Sequence, residues 1–160
     1  MDMNDPVVIK YAQRYGCRFV DRLGFGREGT ALKTTRLSVV KFFNDNKPYA
    51  RELEVYQVLK ELHIESIAGH NVPQFLRHDA ELLAIEMSIV TPPFVLDFAG
   101  ARTEYEAAMF DFEEHVIEEH HARLQDLYGE NWTHVLTVAD EFTRRTGYVL
   151  MDIKPGNISF

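Results

Sequence analysis

Apolar positions recur at three- to four-residue spacing over residues 5 to 16 and stop at Gly16, which predicts a short amphipathic helix. From Cys17 to Leu23 the pattern becomes strand-like. It continues through Ala31 to Thr35 and the β-branched and aromatic run Ser38 to Phe43, so a three-strand meander is expected, with Gly24, Gly26 and Gly29 in its first turn. Pro48 suits the first turn of a helix reaching about Leu62. At 100° per residue, Val55, Tyr56, Leu59 and Leu62 share one stripe of that helix, with Glu52 inside the stripe and Glu54 and Glu61 opposite it. Two more strands, Gln74 to His78 and Leu82 to Ile89, precede Pro92 and Pro93, which halt any sheet. After a linker, Thr103 and Glu106 form a capping-box signature. The periodic positions Tyr105, Ala108, Met109, Phe112, Val116, Leu124 and Leu127 then predict one long helix closed by Gly129. A second helix from about Trp132 to Arg145 ends at Gly147, and a short apolar strand, Tyr148 to Met151, leads into a polar terminal loop.

Strands, a helix, strands and then helices read as α+β in two lobes, residues 1–90 and 91–160, joined near Ser88 to Pro93. With 46% apolar and 12% aromatic residues among 160, the chain has the composition of a packed globular protein. Seventeen Lys and Arg stand against 25 Asp and Glu, a net charge of −8 that repels a phosphate backbone, so no nucleic-acid partner is expected. Cys17 is the only cysteine, which excludes an intrachain disulfide and a thiolate metal cluster. The longest apolar stretch, Leu82 to Val90, is broken by Glu86 and falls far short of the roughly 20 residues of a membrane span, so no membrane association is expected. The acidic start Met-Asp-Met-Asn-Asp-Pro lacks the features of a signal peptide, and a cytoplasmic location is the expectation.

Three stretches carry chemistry. The spacing Gly24-x-Gly26-x-x-Gly29 occurs in dinucleotide sites, but there a helix follows the glycines and here a strand does. Glycines between antiparallel strands suit a flap whose backbone N–H groups approach phosphate oxygens, and a plain hairpin turn is the alternative. Lys41 alternates to the face opposite Val40 and Phe42, where a cation needs a partner; the inward Glu52 supplies one, against the alternative of a lysine snorkelling from an edge strand. Asp152-x-Lys154-Pro155-x-Asn157 gathers a potential base, a cation and a carboxamide oxygen in a loop kept non-helical by Pro155 and Gly156, the alternative being a polar terminal turn. Glu118 and His121 have the spacing of half a metal site but lie opposite the apolar stripe, as solvated residues do.

These motifs, in this order, resemble the eukaryotic-type protein kinase family over about residues 17 to 160. The resemblance implies a kinase-like fold: a small antiparallel-sheet N-lobe with one inward helix, and a reduced, mainly helical C-lobe. It implies that Gly24, Gly26 and Gly29 cover nucleotide phosphates, that Lys41 and Glu52 form the ion pair positioning them, and that Glu86, Met87 and Ser88 form a hinge whose backbone meets adenine. Asp152 is then the catalytic base, Lys154 the residue near the transferred phosphate, and Asn157 a Mg²⁺ ligand, with ATP and Mg²⁺ as the implied cofactors.

Departures accompany the matches. Leu150 and Met151 stand where the family has His-Arg, so the cation that pairs with a phosphorylated activation loop is absent. The sequence ends at Phe160, three residues past Asn157, so the Asp-Phe-Gly segment and later C-lobe are expected to be missing, as in a minimal or truncated member. Asp97-Phe98-Ala99-Gly100 resembles that segment but precedes the catalytic loop; it reads as an ordinary polar turn, with a displaced metal ligand as the alternative. The first functional reading is a degenerate kinase-like protein that binds a purine nucleotide between its lobes and serves as a regulatory module. An active ATP-dependent phosphotransferase with a reduced metal site and an interaction protein with an empty cleft are the alternatives. A protein partner or a homodimer is expected to cover apolar surface that the missing helices leave bare.

Overall fold

The computed structural model describes residues 1–90, 95–96, 100–108 and 113–160. Two compact units emerge, one formed by residues 1–60 and 73–89, the other by residues 61–72 and 90–160. The architecture is α+β, with five antiparallel strands in the principal sheet.

In the first unit, helix α1 (Pro6–Tyr15) begins where the Asp5 carboxylate accepts the Val7 N–H and ends at Gly16, whose φ of 62° is the left-handed conformation that glycine adopts without a Cβ penalty. Strands β1 (Phe19–Phe25), β2 (Gly29–Thr34) and β3 (Ser38–Phe43) follow as the expected meander, and α2 (Asn46–Glu61) succeeds them. Strands β6 (Phe75–Asp79) and β7 (Ala84–Ser88) complete a sheet of order β1-β2-β3-β7-β6; between α2 and β6 lie β4 (Ser66–Ile67) and β5 (His70–Asn71), which belong to the other unit. Sheet register assigns the faces. Val40 and Phe42 alternate with Lys41, and Lys41 lies opposite Ala31 and Ile85. Leu32, Val40, Phe42 and Ala84 form a buried cluster with Val8 and Tyr11 of α1. The opposite face takes α2, whose Tyr49 ring meets Phe43 edge-on and whose Tyr56 hydroxyl donates to the Met87 sulfur. Both faces of the sheet are therefore covered.

Asp79 at the end of β6 ties down α1: it accepts from Arg14 at 2.6 Å and from the Tyr15 hydroxyl at 3.0 Å. Burial pushes its carboxyl pKa up, but the bonds from Arg14, the Leu82 N–H and Tyr15 outweigh this and hold it below the usual range.

In the second unit, β8 (Val95–Leu96), β9 (Ala101–Thr103), α3 (Glu104–Ala108), α4 (Glu114–Tyr128), α5 (Trp132–Thr146), β10 (Tyr148–Leu150) and β11 (Ile158–Ser159) follow in order. The capping box forms as expected, the Glu106 N–H donating to the Thr103 hydroxyl at 3.1 Å and the Glu106 carboxylate accepting the Thr103 N–H at 3.3 Å. The helix it starts is α3, however, and α4 is a separate element, so the single long helix expected from periodicity is corrected to two. In α4 Leu124 and Tyr128 are buried among the described residues, while Val116 and Leu127, expected on the apolar face, are exposed. Strands β4, β5, β8 and β11 are two residues each, too short for a period-2 pattern to register. They form a sheet of order β11-β8-β5-β4, and β9 pairs with β10. Among the described residues, no helix is long and apolar enough to cross a membrane.

His70 of β5 is fully buried, edge-on to Phe160 at 5.0 Å between ring centroids and 5.3 Å from the ring of His134. Burial lowers its pKa from 6.5, and the neighbouring His134 adds to this. As pH falls, the unfolded chain therefore takes up this proton before the folded one does. Its contribution to stability is complete above pH 6.5 and is lost as pH drops from there through the lowered folded value. Urea unfolding followed from pH 8 to pH 5 is expected to show this slope, and His70→Gln to flatten it.

Candidate functional site

In the first unit, Lys41 is brought to Glu52 by the alternation of β3 and the inward stripe of α2. The Lys41 ammonium donates to Glu52 Oε2 at 2.6 Å, with the two side chains only 15% and 4% exposed. The ammonium also lies 5.1 Å from the centre of the Phe43 ring. A lysine snorkelling from an edge strand is excluded by this burial, since β3 lies between β2 and β7. Glu54, the alternative acid, is exposed.

The three glycines of the β1–β2 turn do different things. Gly29 is packed so closely against β3 that a Cβ there would stand 2.0 Å from the Phe42 carbonyl oxygen. Gly24 and Gly26 have nothing within 4 Å of where a Cβ would be, and the Gly26 N–H closes the turn on the Gly29 carbonyl at 2.9 Å. At Gly24 and Gly26 themselves the backbone carries no Cβ and faces open space, which an anion can approach closely.

Glu86 and Ser88, expected at a hinge, take part in the sheet. Glu86 lies mid-strand in β7, opposite Val40 on one side and Arg77 on the other. Its buried carboxylate accepts from the Tyr11 hydroxyl at 2.9 Å and from the Ser38 hydroxyl at 2.5 Å, and pairs with Arg77 at 3.0 Å. The desolvated Tyr11 hydroxyl, already bonded to this carboxylate, has its pKa raised. The Ser88 N–H donates to the Gln74 carbonyl, and its hydroxyl accepts the Gln74 N–H, both at 2.8 Å. Sequence reasoning missed this side-chain role of Glu86; its signal is a lone carboxylate inside an apolar strand.

In the second unit, the loop from Met151 to Asn157 follows β10. Pro155 and Gly156 keep it out of a helix, and the N–H groups of Asn157 and Ile158 close a turn on the Lys154 carbonyl at 2.8 and 3.0 Å. Asn157 is 6% exposed, and its amide NH₂ donates to the Asp152 carbonyl at 2.7 Å and to Asp152 Oδ2 at 3.2 Å. That commitment of the nitrogen leaves the amide oxygen as the donor available to a cation. Lys154 pairs with the half-exposed carboxylate of Asp152. The same charge contributes to Tyr128, whose pKa is pushed up to about 12 chiefly by burial and then by Asp152. Asp152, Lys154 and Asn157 are thus joined in one hydrogen-bonded loop. Asp152 and Asn157 supply hard oxygen donors of the kind Mg²⁺ takes, alongside waters and phosphate oxygens. Among the described residues, no group of three His, Cys, Asp or Glu is placed to hold a metal ion. Glu118 and His121 are exposed, and the Asp97 position lies outside the described residues.

Gly100 has a close neighbour in the loop that follows β10. At φ 79°, an added Cβ would stand 3.1 Å from the Asp152 Cβ and 3.7 Å from the Asp152 nitrogen. Beside the loop, a cavity of about 540 Å³ is lined by residues including Val116, Ile117, His121, Leu124, Leu150 and Met151.

No protein-family model and no curated protein matches the chain. Among solved structures, the crystal structure of the ADP-bound aminoglycoside phosphotransferase APH(2'')-Ib is 11% identical, with a TM-score of 0.46 over 69% of this chain and 34% of that one. The streptomycin–ATP ternary complex of APH(2")-IIa is 10% identical, with a TM-score of 0.47 over 71% of this chain and 35% of that one. The chain therefore spans about a third of the length of these two structures.

Proposed function

We propose that the chain is a kinase-like protein that binds a purine nucleoside triphosphate with Mg²⁺ and transfers its terminal phosphoryl group to a hydroxyl. The observation that carries the reading is the buried Lys41–Glu52 pair at 2.6 Å on the strand next to the open glycine turn. A buried ion pair is a poor stabiliser compared with apolar packing, so a lysine held there by a glutamate is better explained as a fixed cation for phosphate. Backbone at Gly24 and Gly26 covers the phosphates, and the end of β7 at Met87 and Ser88 meets the purine, with Glu86 keeping that strand in place. Asp152 accepts the proton of the attacking hydroxyl, Lys154 neutralises charge on the transferred group, and Asn157 offers its amide oxygen to Mg²⁺. A divalent cation held with the help of the Asn157 amide oxygen would supply neutralisation of the negative charge on the nucleotide's phosphate oxygens.

Phosphoryl transfer is preferred to a purely regulatory role because the Asp152 carboxylate is half-exposed while Asn157 and Lys154 hold it in one orientation. A protein that only binds nucleotide has no use for a placed base. In the interaction-protein reading, the surface of interest is the apolar cavity beside Met151, and a second copy or a protein partner would cover it. Its check is the mass in solution by sedimentation at high concentration.

The discriminating measurement is a thermal shift with ATP and GTP, each with and without Mg²⁺. A nucleotide at about 100 times its Kd adds roughly 2.7 kcal/mol, or about 5 to 10 °C for a chain of this length. Asp152→Asn is expected to keep that shift and to lose phosphoryl transfer. Absence of a shift with either nucleotide overturns the proposal in favour of the interaction protein.

A further inference from the structure

The cavity beside the loop that follows β10 lies within the second unit and has no part in the phosphoryl transfer proposed above. Its walls come from two stretches of chain. Val116, Ile117 and Leu124 line it from α4, and Leu150, Met151 and Ile153 line it from the end of β10 and the residues beyond. Asp152, between Met151 and Ile153, is not part of the lining; its carboxylate goes to Lys154 and to the Asn157 amide. The loop therefore has two sides, a polar one that carries Asp152 and an apolar one on the cavity. Leu150 and Met151, which stand where the family resemblance has His-Arg, both belong to the apolar side.

At about 540 Å³ the cavity falls in the size range of sites for small organic ligands, whose usual make-up is an apolar wall with a few polar groups. The polar groups here are of one kind. Arg102, His120 and His121 line the cavity, and among the described lining residues none is a carboxylate. That is a local reversal in a chain of net charge −8. Glu119 lines a smaller hollow that shares Val116 and His120, where Arg123 accompanies it. Arg102 is positively charged at any working pH. Arg123 donates from Nη2 to His120 Nδ1 at 3.2 Å, and because a guanidinium has no acceptor, Nδ1 supplies a lone pair. The ring proton of His120 is then on Nε2, a donor suited to an anionic oxygen. Val116 and Ile117 are exposed, so a ligand reaches this wall without the fold opening.

We propose that this cavity binds a small amphipathic anion, with its apolar body against Val116, Ile117, Met151 and Ile153 and its anionic head taken by Arg102 and His120. Such binding requires no nucleotide, and it is made on the side of the loop away from the Asp152 carboxylate.

The test is isothermal titration of the full chain with decanoate, 1-decanol and decylammonium, each below the concentration at which it aggregates. Decanoate is expected to bind tightest, 1-decanol about tenfold more weakly for want of the charged head, and decylammonium more weakly again. The overall charge of the protein favours the reverse order, since it attracts the cation and repels the anion, so the expected order can come only from charge local to the cavity. Ile117→Glu puts a good helix former at an exposed wall position and is expected to abolish decanoate binding while the thermal midpoint is kept. Arg102→Met is expected to weaken decanoate about tenfold and to leave 1-decanol unchanged. Leu76→Glu, at an exposed apolar position of β6, is expected to change neither. Equal affinities for the three probes, the reverse order, decanoate binding that survives Ile117→Glu, or unchanged decanoate affinity in Arg102→Met overturns the proposal. Failure of the parent protein to bind decanoate also overturns it, and a chain that then sediments as a dimer has a second copy as the occupant of the cavity.

Discussion

Replacing Lys41 by Met is expected to lower nucleotide affinity at least tenfold and to remove about 3 kcal/mol of stability. The second effect arises because the change takes the ammonium away from the carboxylate of Glu52, which is only 4% exposed. Pairing Lys41→Met with Glu52→Leu separates the two effects. With both charges gone and the volume filled, stability is expected to return to near the parent value, while nucleotide affinity stays low. Isothermal titration with ATP and urea unfolding of the three variants provide the readout, with Glu54→Ala as the exposed control. Parent-like ATP affinity in Lys41→Met would show that the pair is structural only.

Gly29→Ala is expected to be the most damaging of the three glycine substitutions. The new methyl would stand 2.0 Å from the Phe42 carbonyl oxygen and 3.1 Å from the Phe43 Cα, all of it backbone, so β2 and β3 must part where they pair. A loss of about 3 kcal/mol, comparable to severe overpacking, is the expected outcome in chemical unfolding. Gly26→Ala meets no atom within 4 Å and is expected to unfold like the parent while binding ATP more weakly. Equal stability of the two variants would contradict the packing seen at Gly29.

How much of this was legible in the sequence follows from what each signal is made of. The inward Glu52 and the alternation around Lys41 are periodic, and periodicity survives in a sequence; the pair could be named before any coordinate was known. The capping box at Thr103 and the glycine stops at Gly16, Gly129 and Gly147 are local chemistry and were equally plain. What stayed hidden depends on contacts between distant positions. The division of the helix after Thr103 into α3 and α4 was hidden because an apolar stripe can be continued on paper across a break. The separate duty of Gly29 depends on the approach of Phe42, thirteen residues on. Glu86 could be seen as an interruption of an apolar strand, but not as the acceptor for Tyr11, 75 residues away. The strand pairs that join residues 95–103 to residues 148–159 are two or three residues long, below the reach of any pattern.

The Tyr11–Glu86 bond also bears on how the protein is made. The first unit is assembled from residues 1–60 and 73–89, with β7 inserted between β3 and β6. A ribosome therefore releases α1, the meander and α2 before the strand that their cores enclose exists, and β3 waits with one edge unpaired until Ala84 to Ser88 emerge. A nascent chain arrested with fewer than 89 residues outside the exit tunnel is expected to remain protease-sensitive throughout. One arrested just beyond that length is expected to protect α1 and the sheet together, because Glu86 gives Tyr11, Ser38 and Arg77 their common partner at one moment of synthesis.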